Sequence, residues 1–200
     1  MAELGGSNFD TVGAFGESVT ISGTTAVVGS ENILTGAGRA YVFTKEGSMW
    51  NQVAELEGSD TVADDFFGNA VAISGTTVVV GAWGHSKKAG RAYVFTKEGS
   101  MWNQVAELKG SDTAAGDQFG SSVAISGTTV VVGAWSHSKA GRAYVFTKKG
   151  SMWNQVAELE GSDTVAGDLF GESVAISGTT AIVGADGHAS DAGRAYVFKA

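Results

Sequence analysis

The chain has 200 residues, 43% of them hydrophobic, with 30 glycines, no cysteine, no proline and a net charge of −8. The missing cysteine excludes disulfides, thiolate nucleophiles and cysteine-type zinc sites, and the negative charge argues against nucleic-acid and membrane partners, which call for a basic footprint. Apolar runs are too short for a spanning helix, and the opening Met-Ala-Glu-Leu-Gly-Gly reads as no signal peptide.

In chain order, Ala2-Glu3-Leu4 comes first and is a copy of the later Ala54-Glu55-Leu56. Phe15-Gly16 then starts a phrase that returns at Phe67-Gly68, Phe119-Gly120 and Phe170-Gly171, at spacings of 52, 52 and 51 residues. A period near fifty means stacked supersecondary units, because one unit alone leaves a hydrophobic face in water. The repeats are framed as 2–53, 54–105, 106–156 and 157–200, within a single domain.

The second repeat shows the unit. From Phe67 to Ser74, the large Phe67, Val71 and Ile73 share one parity and the small Gly68, Ala70 and Ala72 the other, the pattern of a strand packed on both faces. Ser74-Gly75-Thr76 is a turn, and Thr77 to Ala82 is a β-branched run typical of a strand buried on both sides. A polar loop leads to Arg91, Tyr93 and Phe95, alternating with Ala92 and Val94. A hairpin at Lys97 to Ser100 then enters the more polar alternation Trp102, Gln104, Ala106 and Leu108. Four short antiparallel strands repeated radially make a blade, so the fold expected is an all-β propeller with four blades per chain.

These residues resemble the FG-GAP repeat, the blade unit of integrin-α-type β-propellers. The Phe-Gly pairs supply the FG. The GAP position reads Gly29-Ser30-Glu31, Gly81-Ala82-Trp83, Gly133-Ala134-Trp135 and Gly184-Ala185-Asp186, always without the proline. The resemblance implies an extracellular or cell-surface setting. It does not carry calcium over, since the connection of the first two strands is only Ser-Gly-Thr-Thr and calcium wants about six to eight oxygen ligands. No metal and no other cofactor is expected. The closeness of the four copies implies recent duplication or engineering.

The chain stops at the third strand of its last repeat, so Ala2-Glu3-Leu4 is expected to complete that blade against Tyr196-Val197-Phe198. It does so either in a closed four-bladed ring or by exchange between two copies, a homodimer with eight blades. Variation among repeats gathers on the face formed by the loop after strand two and the inter-blade connection, where binding usually lives. The candidate ligand-binding residues there are Trp83, His85, Trp135, His137, Asp186 and His188. Rings beside imidazoles suit a glycan, through stacking and hydroxyl hydrogen bonds; a protein ligand is the other class. The alternative is that each Trp packs against its neighbouring blade. The acidic residues Asp60, Asp64 and Asp65, with Asp112/Asp117 and Asp163/Asp168, are expected to cap turns. Repeated Ser and His without a nucleophile elbow or phosphate loop give no sign of an enzyme. The expected role is a non-catalytic scaffold, with a lectin as the alternative.

Overall fold

The computed structural model describes residues 2–7, 13–31 and 36–200. Its strands form four antiparallel sheets. The first contains β1 (Phe15–Ser22), β2 (Thr25–Ser30), β3 (Arg39–Glu46) and β4 (Met49–Leu56), and the second β5 (Phe67–Ser74), β6 (Thr77–Ala82), β7 (Arg91–Glu98) and β8 (Met101–Leu108). The third contains β9 (Ser122–Ser126), β10 (Thr129–Ala134), β11 (Arg142–Lys149) and β12 (Met152–Leu159), and the fourth β13 (Ser173–Ser177), β14 (Thr180–Ala185) and β15 (Arg194–Lys199). Each is a simple meander in sequence order.

The two hairpins of blade two close on glycines that need a left-handed backbone: Gly75 at φ 57° between β5 and β6, and Gly99 at φ 63° between β7 and β8. The β-branched runs on β6 and β10 lie wholly inside, with Val78, Val79, Val80 and Val130, Val131, Val132 all at 0% exposure. The all-β expectation and the four-blade count therefore hold, and the second repeat's first two strands begin and end where the parity pattern put them.

The core lies between the blades. The face of blade one carrying Val27, Ala40 and Val42 packs on the face of blade two carrying Phe67, Val71, Ile73, Tyr93 and Phe95. The same docking recurs between blades two and three and between blades three and four. First strands of successive blades run beside one another, whereas fourth strands barely meet, so the blades converge inward and splay outward.

The two ends of the array differ from its middle. Blade four has three strands, with β15 at its edge. Ala2-Glu3-Leu4 is not paired with Tyr196-Val197-Phe198 within the chain; Leu4 lies instead against Val28, Tyr41 and Phe43 of blade one. Ser7 holds this segment there, its amide donating to Gln52 Oε1 at 2.9 Å and its hydroxyl accepting from Gln52 Nε2 at 2.9 Å. The same pair of hydrogen bonds joins Ser59 to Gln104 and Ser111 to Gln155 where one blade hands over to the next.

Candidate functional site

On the face opposite the hairpins, the loop after each second strand meets the connection that enters the blade. In blade two, the buried His85 directs Nδ1 at Asp65 Oδ2 (2.8 Å) and Nε2 at Asp60 Oδ2 (3.6 Å). Tyr93 donates its hydroxyl to Asp60 Oδ1 at 2.8 Å, and Asp65 also accepts the Val62 amide at 2.8 Å. His137 repeats this with Asp117 (2.8 Å) and Asp112 (3.5 Å), and His188 with Asp168 (2.8 Å) and Asp163 (3.8 Å). Tyr144 and Tyr196 bond Asp112 and Asp163 in the same way. Burial and the adjoining aspartate push the phenols of Tyr93 and Tyr144 upward. The Val165 amide, followed by the His188 contact, holds the Asp168 carboxyl below its usual range. Asp65, Asp117 and Asp168 do cap turns, and they also anchor a histidine, which sequence reasoning missed.

The anchored histidines begin an unusual turn. Ser86, Lys87 and Lys88 follow one another at φ 53°, 61° and 65°, a left-handed run without a glycine. Each such residue costs about 1–2 kcal/mol because Cβ crowds the following carbonyl. The run is held by Lys88 N–H to Gly84 O and Gly90 N–H to His85 O, both at 2.9 Å. It presents the Lys88 carbonyl to the Gln118 amide of blade three at 2.8 Å. Shorter or equal versions follow His137 (Ser138, Lys139) and His188 (Ala189, Ser190, Asp191). Blade one has Gly13 in the place of Asp65.

The six candidate residues are thus brought to one face but divide in two. His85, His137 and His188 are buried in the networks. Trp83 and Trp135 are half-buried and Asp186 is exposed. Trp83 stacks on Phe66 with centroids 4.3 Å apart and planes 4° from parallel, and Lys88 Nζ lies 5.4 Å from its ring centre. Its indole also bonds the Glu31 carboxylate of blade one, whose pKa burial raises. The half-buried Trp83 therefore packs against the neighbouring blade and still borders open space. A groove of about 580 Å³ runs beside the stack, lined by Val62, Ala63, Asp64, Phe66, Gly84 and Lys87 among others.

Asp60, His85 and Glu107 bring ligand atoms within 4.8 Å of one another, as do Asp112, His137 and Glu158. Those donors are already engaged: Arg91 holds Glu107 and Arg142 holds Glu158, while tyrosine hydroxyls hold the aspartates. A guanidinium beside the carboxylate opposes a cation there.

The FG-GAP repeat family matches residues 50–95, 102–146 and 153–198. No curated protein sequence matches the chain. Among solved structures, a mutant Aleuria aurantia lectin in complex with alpha-methyl-L-fucoside is similar at TM-score 0.55 and 8% identity, over 90% of this chain and 56% of that one. TolB from Acinetobacter baumannii is similar at TM-score 0.51 and 9% identity, over 88% of this chain and 38% of that one. The chain therefore spans little more than half the length of the first and less of the second, and at such identities the likeness is one of fold.

Proposed function

The chain belongs to the FG-GAP repeat family, and we propose that it is a non-catalytic scaffold that binds its ligand on the loop face. The observation that carries this reading is the state of the three histidines. Each has both ring nitrogens turned to carboxylates, in a buried network repeated blade after blade, so the groups that resemble an acid–base pair serve to hold loops. A catalytic histidine instead needs one nitrogen within reach of a nucleophile or substrate proton. Rigid loops on a rigid sheet are a suitable binding platform.

A glycan is the second reading, favoured by one feature. The flat Phe66–Trp83 pair stands beside a groove that also offers Asp64 and Lys87, pairing an apolar surface with hydrogen-bonding groups. A glycan array followed by calorimetry decides between the two. A sugar whose binding is lost in Trp83→Ala and Trp135→Ala establishes the lectin; a protein ligand lost in the same variants establishes the protein scaffold. Turnover of a polysaccharide, abolished by Asp60→Asn or Asp112→Asn, refutes the non-catalytic role.

A further inference from the structure

We propose that the groove beside Phe66 and Trp83 binds an acidic sugar, a hexuronate within a largely neutral glycan, with the Lys87 ammonium taking its carboxylate. This rests on the glycan reading above and adds the charge of the ligand. The starting observation is where blade two departs from blade three. The two repeats are nearly the same sequence, yet blade two has Val62 for Ala114, Asp64 for Gly116, Phe66 for Gln118, Gly84 for Ser136, and a second lysine in Lys87-Lys88 where blade three has Lys139 alone. All of these blade-two residues line the groove of about 580 Å³. The remaining differences, at Glu57, Asn69, Ala70 and Glu98, are not among its walls. Small-ligand sites span about 300–1,000 Å³, so the space suits a sugar.

Asp64 is the most informative exchange. Its backbone stands at φ 70°, where the equivalent Gly116 and Gly167 both stand at φ 97°. Blades three and four thus use the residue that this conformation favours, while blade two tolerates the crowding of a Cβ and gains a carboxylate. The longer turn supplies cations to the same groove. Lys88 is engaged by Trp83, with Nζ 5.4 Å from the ring centre. Lys87 is not: it and Asp64 are both exposed, and neither side chain has a partner among the described residues.

The chemistry of the walls selects the ligand. Val62 and Phe66 give an apolar surface, and the stacked Trp83 fixes the Phe66 ring from one side. The C–H face of a pyranose packs on such a surface. Sugar hydroxyls donate to a carboxylate such as Asp64, and the carboxylate of a hexuronate accepts from an ammonium such as Lys87. A neutral hexose leaves Lys87 unanswered, and a simple aliphatic acid leaves Asp64 without a donor. The net charge of −8 opposes a long polyanion, so the acidic residue is one among neutral sugars.

Calorimetric titration of the full chain with methyl β-D-glucuronide and with methyl β-D-glucoside, the same ring bearing a neutral hydroxymethyl group, tests the assignment. The glucuronide should bind about threefold to fivefold more tightly, the size that an exposed charge pair supplies. That preference should fade in roughly 1 M salt, where charges are screened within about 3 Å. Lys87→Met should remove the preference and leave the glucoside affinity unchanged. Phe66→Gln should weaken both sugars with an unchanged β circular-dichroism spectrum, since Gln118 already holds φ 58° where Phe66 holds φ 56°. Equal binding of the two sugars, or a preference that survives Lys87→Met, overturns the acidic-sugar assignment and leaves the lectin reading standing. Binding of neither sugar, or displacement of the glucuronide by an equal concentration of acetate, removes both.

Discussion

Replacing His85 with alanine tests the idea that the loop face is held by its buried histidines. Asp65, only 4% exposed, would keep the Val62 amide and lose its imidazole partner. Removing one member of a buried pair costs about 3–5 kcal/mol. Some of that returns, because the released turn can leave the left-handed region at about 1–2 kcal/mol for each residue that relaxes. The net loss should be about 2 kcal/mol, or a fall of about 1 M in the urea midpoint for a slope near 2 kcal/mol/M. Lys87→Gly should act in the opposite sense, since glycine tolerates φ 61° without the Cβ crowding. After glycine's larger entropy in the unfolded chain, about 0.5–1 kcal/mol of stabilisation should remain. Both are best measured by urea titration. A midpoint unmoved by His85→Ala, or lowered by Lys87→Gly, would refute the account of an anchored, strained turn.

Hydrogen bonding to Asp186, with burial and the neighbouring charge, lifts the Glu172 carboxyl from 4.5 to about 7. The folded chain then keeps a proton that the unfolded chain has lost, so stability falls as pH rises through that interval. Glu172→Gln should remove the slope and stabilise the protein above neutrality by about 1 kcal/mol, discounted for an exposed site; thermal melts on either side of the interval check it. Gly81→Ala drives a methyl into the Gly120 carbonyl and should cost about 3 kcal/mol through forced separation of blades two and three. Gly184→Ala meets only Ser173, whose hydroxyl can rotate away, so melts should show a much smaller loss than for Gly81→Ala.

The strands were legible because each rests on a local signal. Thr77–Ala82 is a β-branched run between a two-residue glycine turn and a polar loop, and nothing distant alters that reading. The histidines were not legible in the same way. His85 and Asp65 stand 20 residues apart, on segments whose meeting depends on the blade having formed. A signal existed nonetheless, in comparison of the repeats: the three that have the histidine also have the aspartate, and the first has Ile33 and Gly13 in their places. The left-handed turns left no trace, because Ser86, Lys87 and Lys88 are residue types that normally avoid that region. Only the His85 anchor and the contact with blade three explain their conformation.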